Sequence, residues 1–165
     1  MTRSEIVRAV DRFDLKFTQF LGRWSLPTLR ISLGIVFFWF GWLKLFPGQS
    51  PAEGLVQATT DILFFGLLPG RTAVAVIGLW EVLIGLGLLS GRFLRATLLL
   101  LAMQMVGAFS PLVLFPLETF VRPPITPTLE GQYILKNVVL VAAALVIGSD
   151  VRTQDAARRR PLPTA

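Results

Sequence analysis

Four side chains in this sequence bring hydrogen-bonding or acid–base chemistry into apolar surroundings: Lys44, Glu81, Gln104 and Lys136. Glu81 is the most telling. It stands within Thr72 to Leu89, TAVAVIGLWEVLIGLGLL, long enough to cross a lipid core of about 30 Å at about 1.5 Å per residue. A carboxylate at that depth costs roughly 3 kcal/mol on insertion scales, so it has to be paired, protonated or set against a polar cavity. A carboxyl group held there can exchange a proton, and a lysine beside it can hydrogen-bond a carbonyl or anionic oxygen. Two lysines facing one carboxylate leave net positive charge. That favours an anionic or carbonyl-bearing ligand over a cation.

The elements that must carry these residues are membrane helices. Hydrophobic residues make up 53% of the 165-residue chain and charged residues only 16%, well to the membrane side of ordinary globular usage. Apolar stretches run over Leu29–Phe46, Thr72–Leu89, Phe93–Phe115 and Tyr133–Gly148, the last short enough that its helix is expected to begin near Gln132. The predicted fold is all-α: an integral membrane four-helix bundle over residues 25–150, preceded by an N-terminal amphipathic interfacial helix. By helical rise Glu81 lies about 13 Å from one end of its span and Gln104 about 16 Å from the opposite end of the next. Lys44 and Lys136 fall near the outer ends of the first and fourth spans. Faces agree with depths: Gly34, Phe37, Gly41 and Lys44 share one seam, Gly78, Glu81 and Gly85 another. Gln104 shares a face with Gly107, Ala108 and Pro111, and Lys136 with Tyr133, Leu140 and Ala143. Small residues on such seams let helix backbones approach closely.

Charge fixes the expected topology. With both termini cytoplasmic, twelve of the sixteen basic residues lie inside, among them Arg30, Arg92, Arg95 and the Arg158–Arg160 run, and only Arg71 and Arg122 fall in outer loops. This is the positive-inside pattern, so the net charge of +6 reads as topology and attraction to anionic lipid rather than as a nucleic-acid surface. Residues 1–24 place Ile6, Val10, Phe13, Phe17, Phe20 and Trp24 four and three apart, an apolar stripe suited to the membrane surface or to a partner helix. Ser25 and Pro27 are expected to cap and start the first span. Ala52–Leu68 reads as a short interfacial helix, Ser90–Arg92 as a tight turn, and the proline-bearing loop Pro116–Gly131 as extended and rigid. Residues 151–165 read as a disordered basic tail. The N-terminus lacks the short apolar core of a secretory signal, so the first span is expected to act as an uncleaved signal. Without cysteine or histidine, the chain offers no thiol relay, no Cys-ligated iron–sulfur cluster, no His-ligated haem and no ordinary zinc or copper site.

A structural reading competes with the site. Lys44 and Lys136 could snorkel to headgroups, Glu81 could pair with one lysine simply to lock the bundle, and Gln104 could be interhelical glue. Trp39, Trp42 and Trp80 suit interfacial anchoring better than ligand stacking. Glu118, Arg122 and Glu130 suit a solvated loop better than a cap on the site.

Three stretches read Arg30-Ile-Ser-Leu-Gly34-Ile-Val-Phe-Phe-Trp-Phe-Gly41-Trp-Leu-Lys44-Leu, Gly78-Leu-Trp-Glu81-Val-Leu-Ile-Gly85-Leu-Gly-Leu-Leu, and Glu130-Gly131-Gln-Tyr-Ile-Leu-Lys136-Asn137-Val-Val-Leu. In these the sequence resembles the DoxX-like family of small bacterial membrane proteins. The segment after Lys44 is more similar to related inner-membrane proteins associated with reactive-chlorine resistance. The resemblance implies a multi-pass protein of the bacterial inner (plasma) membrane tied to respiratory or oxidative-stress redox chemistry, in some members as a subunit of a thiosulfate:quinone oxidoreductase. Glu81, the two lysines and Asn137 fall where the family pattern places them. The expected binding set is therefore Lys44, Glu81, Gln104, Tyr133, Lys136 and Asn137, with a quinone or similar lipophilic ligand in the outer half of the bilayer. A partner protein or further copies of the chain would complete the redox unit. The alternatives are a non-catalytic accessory or assembly subunit and a small proton-coupled transporter.

Overall fold

Ser25 and Pro27 lie inside one unbroken helix, α1 (Arg3–Lys44), rather than starting a new one. The computed structural model describes residues 3–50, 53–68 and 70–158. After α1 come α2 (Glu53–Leu63), α3 (Gly70–Ser90), α4 (Leu94–Phe109), α5 (Pro111–Leu114) and α6 (Pro116–Thr119). A two-stranded hairpin of β1 (Phe120–Arg122) and β2 (Thr126–Pro127) leads into α7 (Leu129–Leu135) and α8 (Asn137–Arg158). Among the described residues, four stretches are long and apolar enough to cross a membrane: Asp11–Lys44, Gly70–Ser90, Leu94–Leu114 and Leu129–Val151. The molecule is a multi-pass, all-α membrane bundle.

Leu33 and Phe37 of α1, Ile84 and Leu88 of α3, Leu101 and Met105 of α4, and Ala143 and Ile147 of α8 meet in one core. Lipid tails are as apolar as these side chains, so the bundle holds by close packing and interhelical polar contacts more than by escape from water. The closest approach is the crossing of α1 and α3. A Cβ on Gly41 would stand 2.7 Å from the Gly78 carbonyl oxygen, and one on Gly78 would stand 2.8 Å from that of Gly41. Each backbone occupies the space a side chain on the other would need. Gly91 (φ +68°) then turns α3 into α4, a left-handed position suited to glycine.

One expectation for the connecting segments is corrected. The loop Pro116–Gly131 is not extended. Pro116 opens the single turn α6, and β1 pairs antiparallel with β2, Phe120 opposite Pro127. Thr128 closes the loop: its backbone N–H donates to the Thr119 carbonyl at 3.0 Å and its hydroxyl to the Glu118 carbonyl at 2.7 Å. That hydroxyl also accepts the Gly131 N–H at 3.1 Å as the N-cap of α7. The residues between the prolines keep donors enough to pair, and they do. Pro111 opens α5 at its first position, and the third spanning stretch runs on through it to Leu114. At the other end of the chain the helix of α8 continues past Asp150 to Arg158, and residues 159–165 lie outside the described residues.

Helix α2 packs along α3 and carries buried Thr59 and Thr60, whose hydroxyls donate back to the carbonyls of Leu55 and Val56. Glu53 ties it down, pairing with Arg71 of α3 at 3.3 Å and accepting the Gly48 N–H at 3.0 Å. The chain beyond Lys44 is thereby folded back over the end of the α1–α3 pair.

Candidate functional site

Three helices deliver one polar side chain each to a common point. Lys44, the last residue of α1, donates from Nζ to Oε2 of Glu81 at 2.6 Å. Gln104 of α4 donates from Nε2 to the other carboxylate oxygen, Oε1, at 3.0 Å. Glu81 lies about 16 Å along α3 from Gly70, and Gln104 about 15 Å along α4 from Leu94, so the antiparallel pair meets near mid-span. The side chains of Lys44 and Glu81 are 13% and 12% exposed, so the pair is largely withdrawn from solvent and removing one partner is costly. The glycine crossing places them: a Cβ on Gly78 would also stand 2.8 Å from Cβ of Lys44.

The fourth span contributes differently from the sequence expectation. Lys136 stands at the junction of α7 and α8 and is exposed, with Nζ 3.6 Å from the centre of the Tyr133 ring, a cation–π contact. Among the described residues it forms no ion pair with Glu81 or any other carboxylate. Residues 133 and 136 are one helical turn apart, so the ring is the nearest partner the ammonium can reach. Tyr133 in turn meets Phe40 of α1 edge-on, centroids 5.8 Å apart. Asn137 is half-buried at the start of α8. The candidate residues thus fall into two groups: a closed chain of Lys44, Glu81 and Gln104, and an open donor group of Tyr133, Lys136 and Asn137. Trp39 and Trp42 point outward, whereas the half-buried Trp80 donates from its indole N–H to the Leu100 carbonyl at 3.1 Å.

Residues 25–115, just over half of the chain, match the family model described as DoxX. The chain belongs to the DoxX family. No curated protein and no solved structure matches it. The matched region of this DoxX chain holds Lys44, Glu81 and Gln104 and ends before Tyr133, Lys136 and Asn137.

Arg30 is the contact that counting inward-facing charges overlooks. It reaches from α1 to the C-terminus of α3, where its Nη1 donates to the carbonyls of Leu88 and, at 3.4 Å, Leu89. Those are carbonyls a helix end leaves without partners, at the negative pole of its dipole. Its signal in the sequence is register, since Arg30, Gly34, Phe37, Gly41 and Lys44 follow one seam of α1. In this DoxX protein α3 is therefore pinned to α1 by a cation at each end of their contact. Arg30→Ala is expected to lower stability in detergent by about 1 kcal/mol, read from a denaturant titration followed by circular dichroism.

Proposed function

We propose that this DoxX protein is a membrane subunit that binds a quinone, or a similarly flat carbonyl-bearing lipophile, beside the Lys44–Glu81–Gln104 chain, and serves respiratory or oxidative-stress redox chemistry. The observation that carries the reading is the Tyr133–Lys136–Asn137 group. It gathers an ammonium without a carboxylate partner, a phenol and an amide within about one helical turn, set against α1 through the Tyr133–Phe40 contact. Such donors fit quinone carbonyl oxygens. When bound, a quinone would supply two-electron, two-proton chemistry.

The protein's own residues then have separate roles. Lys136 and Tyr133 hold the ligand oxygen, and Asn137 adds an amide within one turn. Glu81 keeps a fixed negative charge near the ligand, and Lys44 and Gln104 hold that carboxylate still. Electrons come from a partner protein, because the chain has no thiol or imidazole with which to ligate a redox metal.

The test is quinone binding by purified, detergent-solubilised protein. Lys136→Met is expected to weaken affinity about 10-fold, the equivalent of one hydrogen bond of about 1.4 kcal/mol. Unchanged affinity in both Lys136→Met and Glu81→Gln would remove the site.

A second reading has its own support. The Lys44–Glu81 pair closes directly above the Gly41–Gly78 crossing, as a lock between α1 and α3 would. On that reading the protein is an accessory or assembly subunit of a larger membrane complex, and quinone affinity is absent from the unaltered protein.

A further inference from the structure

Residues 11–25 of α1 lie outside the core of the bundle. Every residue from 11 to 25 is exposed, and packing against the core begins only at Leu26 and Leu29. Arg30 is level with the end of α3, whose Leu88 and Leu89 carbonyls it meets, so the helix before it runs on past the α3–α4 turn. The stretch from 11 to 25 is about 22 Å long. It carries Phe13, Phe17, Phe20 and Trp24, 71%, 50%, 58% and 51% exposed. Phe13 stacks on Phe17 and Phe20 lies against Trp24, one continuous aromatic stripe.

Several features identify what covers that stripe. Aromatic residues on one face and cations on another are the composition of a helix lying in a membrane interface. Arg12, Lys16 and Arg23 fall within about 40° of one another at about 100° per residue, along one flank of the stripe, whereas Asp11 and Asp14 lie away from that flank. The stripe leads directly into the lipid-facing side of the same helix, where Ile31 and Ile35 are exposed. Exposed Arg92 and Arg95 stand where α3 turns into α4, the same end of the bundle, which suits a leaflet of anionic headgroups. Pro27 supplies the joint. Without an N–H it leaves the Arg23 carbonyl without its intrahelical donor, and a helix bends at least cost at such a position.

We propose that residues 11–25 lie along an anionic lipid surface, bent away from the spanning part of α1 between Arg23 and Pro27, with the aromatic stripe in the lipid and the Arg12–Lys16–Arg23 flank against the headgroups. The full chain, which has no cysteine of its own, allows a direct test in vesicles containing phosphatidylglycerol. A spin label at Phe17→Cys is expected about 5–10 Å below the headgroups, while one at Gln19→Cys stays accessible to an aqueous nickel reagent. Labels at Phe17→Cys and Ile31→Cys would be about 21 Å apart in a straight helix and about 15 Å apart with a right-angled bend near Pro27; the shorter distance is expected. Replacing Arg12, Lys16 and Arg23 together by glutamine should raise the residue-17 label toward water. Equal water access at residues 17 and 19, or the straight-helix distance, overturns the proposal. So does spin–spin broadening between copies at residue 17, which would mean that a second copy of the chain covers the stripe.

Discussion

Gly41→Leu is expected to drive α1 away from α3 and to lower unfolding stability by about 3 kcal/mol, the upper part of the range for overpacking. The magnitude follows from what surrounds the missing side chain. A Cβ at this position meets the Gly78 carbonyl oxygen and the Val82 nitrogen at 2.7 Å and Cβ of Glu81 at 2.8 Å. Two of these are backbone atoms within a helix and cannot rotate aside. Even Gly41→Ala is expected to be destabilising, because about 1–3 kcal/mol of crowding outweighs the roughly 0.5–1 kcal/mol that alanine gains over glycine in a helix. Gly107 on α4 provides the opposite case. A Cβ there meets nothing within 4 Å, so Gly107→Ala is expected to be neutral or slightly stabilising. Denaturant titrations of the two alanine variants should therefore differ in sign. A Gly41→Ala protein as stable as the unaltered one would mean that the crossing is looser than the structure has it.

The same crossing shows what a sequence makes legible. Glycines two helical turns apart, Gly34 with Gly41 and Gly78 with Gly85, mark a close helix contact, and helical rise brings Glu81 and Gln104 to one depth. Both inferences use only local geometry, and the Lys44–Glu81–Gln104 chain follows from them. Depth alone treats Lys136 as equivalent to Lys44. What separates the two is the nearest neighbour: Lys44 ends its helix against α3, whereas Lys136 has the Tyr133 ring one turn away. The loop Pro116–Gly131 was harder to read because composition reports its prolines but not the long-range bonds of Thr128 to Glu118 and Thr119. Pro27 misleads for a related reason. A proline normally marks a helix start or break, yet α1 passes through it, as membrane helices tolerate. Arg30 is visible as a charge, but its role depends on where α3 ends in space, which no local pattern encodes.

Lys44→Met and Glu81→Gln are each expected to lower stability by about 3 kcal/mol, because each leaves the other partner charged and enclosed. The double variant should be more stable than either single one. It removes both charges, keeps an amide at position 81 for Gln104 to bond, and sets a flexible apolar chain where the lysine stem lay. A cycle of the four proteins, titrated in the same detergent, gives the coupling between the two residues. Single losses that add in the double variant would mean that the 2.6 Å contact contributes little. The cycle also separates the two readings of the site, because the double variant recovers stability without recovering the carboxylate. If Glu81 serves only to hold α1 against α3, the double variant is stable and supports the function of the whole complex. If Glu81 acts beside a bound quinone, the double variant folds normally and still binds quinone more weakly than the unaltered protein. Binding measured on a protein of recovered stability is then a property of the charge itself, because the packing around the glycine crossing is the same in both.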